Sequence, residues 1–227
     1  MSVENKIDFQ SSIIRKTREF VRKRLLPDPT GHDFHHSVRV ATLALKIAGE
    51  EDNPDRFIIE LASLLHDIAD WKFHEGDDSL GVELSKHWLI KNKVTPEVIE
   101  SVIDILKNIS FRGAGVENKI KSLEGRIVQD ADRLDALGAI GIARTFAYGG
   151  YMGSLIYDPE LKPVFHENFE QYKKSRGTSI NHFHEKLLLL KDRMNTDTGR
   201  KIAAERHRFM KVFLERFLME WECEGLE

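Results

Sequence analysis

The chain has 227 residues, with 34 Lys and Arg against 37 Asp and Glu and a formal net charge of −3. Its 41% apolar and 31% charged residues suit a globule with enough chain for a sizeable core. No window approaches the roughly 18 uncharged apolar residues of a membrane span, the opening MSVENKIDFQ lacks the apolar core of a signal peptide, and one cysteine, Cys223, excludes a disulfide framework or a thiolate zinc site. The expectation is a cytoplasmic protein without a membrane partner, and the near-neutral charge argues against a general nucleic-acid binder.

Helical patterns run almost throughout. Residues 7–26 form a basic amphipathic stretch that stops at Pro27-Asp28-Pro29. Residues 34–49 repeat Val38, Ala41, Leu45 and Ala48 at helical spacing. Asn53 is read as a cap with Pro54 in the first turn of the next helix. That helix, FIIELASLLHDIA, is apolar on nearly every side and reads as a central, buried element. Further helices are expected at 79–92, 95–108, 118–148, 163–174, 180–192 and 197–222. The last places Phe209, Phe213 and Phe217 beside Met210, Leu214, Leu218 and Trp221. Strand signals are weak. The Gly149, Gly150 and Gly153 turn reads as a loop within one domain. The expected fold is therefore all-α: a single domain over 1–227, with a motif-bearing core at about 30–150 and C-terminal helices at 160–225 packed on it.

Five of the ten histidines (His32, His35, His36, His66, His74) fall within residues 32–74, where four basic residues face eight acidic ones. An acidic, histidine-rich segment in a nearly neutral chain suits a bound cation. His66-Asp67 ends the apolar helix, between Leu64-Leu65 and Ile68-Ala69. Burying an imidazole and a carboxylate there is costly unless each is paired or coordinated, and a metal satisfies both. His36 lies early in its helix within HSVRV, with Arg39 one turn on and on the same face. Asp132 lies in the apolar IVQDADRLDALGAIG and shares a face with Asp135. Two His and two carboxylates from separate helices make a mixed N/O site suited to Mn, Fe, Co, Ni, Zn or Mg. Taken singly, each group also fits a capped or hydrogen-bonded structural role.

HSVRV, LLHDIAD and QDADRLDALG, in that order and at these separations, resemble the HD-domain superfamily of metal-dependent phosphohydrolases, over about residues 30–150. The resemblance implies an all-helical fold with one divalent metal held by His36, His66, Asp67 and Asp132 between central helices. It implies hydrolysis of a small phosphorylated substrate, read as a nucleotide cleaved at a phosphomonoester or with release of pyrophosphate. Asp67 and Asp70 are the candidates to orient the attacking water or act as base, and Asp70 equally fits a surface acid at a helix end. Arg133, Lys72, Arg112 and Lys119 are candidate phosphate-binding cations. Asp33, Arg39 and Asp135 are candidates to orient the ligands. Two-metal members carry extra histidines where this chain has Ser79 and Asn108, so the expectation is mononuclear. The alternative is a non-catalytic nucleotide-sensing or partner-binding module with a structural metal. A homodimer is compatible with the chain.

Overall fold

The computed structural model describes residues 3–25, 28, 30–68, 79–110, 118–165 and 177–225. Nine α-helices and one 3-10 helix are found among them, with no strand. The helices are α1 (Val3–Arg24), α2 (Phe34–Ala48), α3 (Arg56–Leu65), α4 (Ser79–Lys91), α5 (Pro96–Asn108), α6 (Leu123–Asp135), α7 (Gly138–Met152), α8 (Ser179–Glu185) and α9 (Asp197–Trp221). The 3-10 turn spans Leu187–Arg193 between α8 and α9. Among the described residues no helix is long and apolar enough to cross a membrane. The all-α expectation holds.

The chain forms two compact units, one within residues 1–111 and 118–132, the other within 112–117 and 133–227. In the first, α3 is the hub and packs on α1, α2 and α5. Seven of its ten residues are buried, which is what an all-round apolar helix requires. Leu61, Leu64, Ile59 and Leu65 are fully buried there beside Val40, Ala41 and Ile47 of α2. Trp88 of α4 stacks on Phe20 of α1 with ring centroids 4.0 Å apart, and its indole N–H donates to Thr17 Oγ1 at 3.0 Å.

In the second unit, Phe146, Phe183, Phe213 and Phe217 form an aromatic cluster from α7, α8 and α9. Met210 and Leu214 are buried beneath it, whereas Phe209 on the same helix is 53% exposed, unlike the core position its spacing suggests. At the end of α6, Arg144 Nη1 donates to Asp135 Oδ2 at 2.9 Å, Arg206 Nη1 donates to the Leu134 carbonyl at 2.5 Å, and Asp135 acts electrostatically on Arg206. These bonds tie residues 134 and 135 to α7 and α9 within the second unit.

Several helix boundaries differ from the sequence reading. The helix expected over 118–148 breaks after Asp135, because Gly138 takes a φ of 73° that only glycine adopts without penalty. The 180–192 helix becomes α8 and a 3-10 turn, separated at Lys186 with φ −138°. Gly149 and Gly150 lie inside α7 rather than in a loop; a Cβ on Gly149 would stand 2.2 Å from Ser179 Oγ, so this glycine permits close approach of α7 and α8. The third helix starts at Arg56 and not at Pro54: Asp55, not Asn53, is its cap, accepting from Phe57 and Ile58 N–H at 2.9 and 3.2 Å. The expected 163–174 helix falls mostly outside the described residues, and Pro163, Val164 and Phe165 are not helical.

Leu64→Ala should lower the unfolding free energy by about 2–5 kcal/mol, the transfer loss plus the residual cavity. Asp135→Asn should cost about 2 kcal/mol by weakening a mostly buried ion pair. Urea denaturation followed by circular dichroism checks both, and an unchanged midpoint for either variant contradicts the packing described.

Candidate metal centre

The site is assembled within the first unit by the start of α2, the end of α3 and Asp132 near the end of α6. Asp33 caps α2 by accepting the His36 backbone N–H at 3.0 Å, which sets His36 in the first turn with 1% exposure. His66 is the C-cap of α3, so the chain turns there and presents His66 and Asp67 together. Asp132 comes from α6.

Their donor atoms converge. His36 Nε2 and His66 Nε2 are 3.1 Å apart. Asp67 Oδ2 lies 3.3 and 3.5 Å from them, and Asp132 Oδ1 lies 3.5 and 3.6 Å from the same two nitrogens. The His36, His66 and Asp67 donors all fall within 4.8 Å of one another and could hold a metal ion, the single such group among the described residues. Donors about 2.1 Å from a shared first-row ion stand about 3.0–3.4 Å from each other at right or tetrahedral angles. The observed 3.1–3.6 Å lie at or slightly above that spacing.

The hydrogen bonds behind the donors agree with the metal reading. His66 Nδ1 lies 2.8 Å from the Ser63 carbonyl, which only accepts, so Nδ1 carries a proton and Nε2 is the nitrogen turned to the cluster, where its lone pair would serve a metal. Burial disfavours the charged form of His66, but the Asp67 and Asp132 carboxylates outweigh it and raise its pKa above the ordinary histidine value. Burial likewise opposes ionisation of Asp67, yet His66, His36 and His32 hold its carboxyl far below the usual range. Asp132 is lowered too, against its burial, by hydrogen bonds from His36 and His66. Two ionised carboxylates and two inward ring nitrogens focus negative potential on one point, and a cation satisfies all four.

The other sequence candidates are placed less uniformly. Asp33 bonds the His36 backbone amide and acts on that residue through the helix start. Arg39 is partly buried one turn further along α2. Lys119 is exposed ahead of α6. Arg133 belongs to the second unit, is 7% exposed and donates through Nη1 to the Arg193 carbonyl of that same unit. Asp135 bonds Arg144. Asp70, Lys72 and Arg112 lie outside the described residues. At the positions aligned with second-metal ligands, Ser79 is exposed at the start of α4, and Asn108 Nδ2 turns back to the Asp104 carbonyl at 2.9 Å.

The sequence reading missed the Ser63 carbonyl and the chain of contacts behind His32. Asp28 Oδ1 and Oδ2 accept the Thr30 and His32 backbone N–H groups at 2.8 and 3.2 Å. The Thr30 hydroxyl donates to Asp28 Oδ2 at 2.6 Å, leaving its oxygen to accept from His32 Nδ1 at 3.0 Å. The His32 ring then stands edge-on to His36 with centroids 6.1 Å apart. An Asp with Thr and His two and four residues later was the available signal, since such side chains bond nearby backbone amides.

The HD-domain family model matches residues 33–137, a span containing all four converging residues. The uncharacterised Bacillus subtilis protein YpgQ is 39% identical over 213 residues, covering 92% of this chain and 93% of its own. A crystal structure of YpgQ in complex with ADP aligns with a TM-score of 0.72 and 36% identity, covering 93% of this chain and 96% of that one. A Lactobacillus plantarum crystal structure aligns with a TM-score of 0.82 at 37% identity, over 94% of this chain and 98% of that one. An HD-superfamily hydrolase from Bacillus thuringiensis is 43% identical with a TM-score of 0.73, over 95% and 100% of the two chains. From the family match, the near full-length relatives and the shared all-helical fold, the chain belongs to the HD-domain superfamily.

Proposed function

We propose that this protein is a metal-dependent phosphohydrolase that hydrolyses a nucleotide, at a phosphomonoester or by releasing pyrophosphate from a triphosphate. The observation that carries the reading is the convergence of His36 Nε2, His66 Nε2, Asp67 Oδ2 and Asp132 Oδ1 within 3.1–3.6 Å across the measured pairs. The ADP complex of YpgQ and the hydrolase description of the Bacillus thuringiensis relative support the substrate class and the reaction type.

His36, His66, Asp67 and Asp132 would hold one divalent ion. When bound, such an ion supplies Lewis-acid polarisation of a phosphoryl oxygen and acidifies water. The chain's own groups divide the remaining work by exposure. The two imidazoles are 1% and 2% exposed and form the back of the site, whereas Asp67 and Asp132 are 20% and 29% exposed and border its open side. Asp67 turns Oδ2 to the imidazoles, and in this proposal its Oδ1 orients the attacking water, with Asp70 three residues on as its helper or as the base. The Ser63 carbonyl keeps the His66 proton on Nδ1, so that ring does not lose its orientation when protons move nearby. Lys119, with Lys72 and Arg112, is assigned to phosphate charge.

Purified protein given a nucleotide panel with Mn²⁺, Co²⁺, Ni²⁺ or Mg²⁺ should release phosphate or pyrophosphate. Absence of turnover by folded, metal-loaded protein overturns the proposal, and nucleotide binding without turnover would favour a sensing module instead. Asp67→Asn should lower kcat at least about a hundredfold and weaken metal binding by calorimetry, with the helical dichroism retained. Metal at a hundred times its Kd should stabilise the native state by about 2.7 kcal/mol, seen as a higher Tm that chelation reverses.

A further inference from the structure

α1 and α3 leave a groove of about 450 Å³ between them, floored in part by Leu45 of α2. None of the four converging residues of the metal centre lines it, and six of its ten lining residues come from α1, which precedes the span matched by the HD-domain model. Its apolar wall is Ile7, Ile14, Leu45 and Phe57, and its charged wall is Arg15, Arg18, Arg56 and Glu60. Ile7 is 56% exposed, an apolar side chain open to water at one side of the groove.

The charges do not balance. Glu60 accepts from Arg18 at 2.8 Å, which uses the one carboxylate of the lining. Among the described residues neither Arg15 nor Arg56 makes an ion pair, and both are exposed. The adjacent Asp55 is engaged as the α3 cap through Phe57 and Ile58. Two exposed arginines thus share the lining with apolar side chains and with a third arginine that Glu60 holds. Guanidinium presents planar, paired donors to phosphate or carboxylate oxygens. The volume falls within the roughly 300–1,000 Å³ of small-molecule sites and is small for a folded partner.

We infer that this groove is a second ligand site, separate from the metal centre, for an organic anion carrying two or more negative charges and an apolar body, of the size and chemistry of a nucleoside phosphate. Arg15 and Arg56 receive the anionic end, and Ile14, Leu45 and Phe57 pack against the body. The inference does not rest on hydrolysis at the metal centre, since the groove can fill whether or not that centre turns over.

The test uses the full chain in excess chelator, with trinitrophenyl-ATP as a fluorescent probe and ATP as its competitor. The expected result is saturable binding that persists in Asp67→Ala, and that falls at least about tenfold in Arg15→Glu/Arg56→Glu, with the Tm of that variant close to the parent's. Arg15→Gln/Arg56→Gln, which removes the charges without reversing them, should fall by less than the charge reversal. Inorganic triphosphate, which lacks the apolar body, should compete at least about tenfold more weakly than ATP. Binding that vanishes with Asp67→Ala, equal affinity in the parent and both arginine variants, equal competition by triphosphate, or no saturable binding would each overturn the inference. The hydrolysis assay reads the metal centre independently, so failure at one site is distinguishable from failure at the other.

Discussion

Everything around the metal centre follows from two imidazole nitrogens held 3.1 Å apart with a carboxylate oxygen from each of Asp67 and Asp132 set against both. Four electron-rich atoms directed at one point repel each other unless protons or a cation lie between them. The fold keeps them there by building the surroundings first. α3 is buried almost completely, so its last turn cannot swing away. α2 is pinned at its start by the Asp33 cap. The converging atoms are the ends of rigid helices, which is the arrangement a preorganised site needs.

The same logic explains the contrast between buried and open ligands. Histidines bring apolar ring carbon into the interior and leave one nitrogen for the cluster, so they suit the back wall. Carboxylates are harder to desolvate and stand toward the open side. Among the described residues the two acids are the more exposed members of the cluster, at 20% and 29% against 1% and 2% for the imidazoles. In the proposed function the phosphate charge falls to cations outside the cluster, and Lys119, exposed ahead of α6, is one such candidate. Anionic substrates are thereby compatible with a chain whose total charge is slightly negative.

Much of this was legible in residue order. His66-Asp67 was readable because ionisable groups between Leu64-Leu65 and Ile68 violate ordinary burial preference, and the violation marks the site. The all-round apolar character of α3 gave its central place. Other features depend on contacts distant in sequence. The break between α6 and α7 turns on one backbone angle at Gly138, which helical periodicity does not encode. Asp135 shares a helical face with Asp132, as spacing suggests, yet its hydrogen bond goes to Arg144, and only tertiary packing decides between such partners. Arg133 follows a ligand in sequence, and its guanidinium is nonetheless held by a carbonyl sixty residues on. The arginine-lined groove joins residues from α1 and α3 that lie some forty positions apart, and neither helix alone displays it.

The acceptor that orients His66 is a main-chain carbonyl, that of Ser63, and the Ser63 hydroxyl itself is buried with no hydrogen-bond partner among the described residues. The side chain at position 63 can therefore change without touching the bond that matters, provided its size is kept. The ring's tautomer is inherited from the helix rather than encoded by any one residue. Sequence variation at that position is then governed by volume and carries no signature of the chemistry it supports.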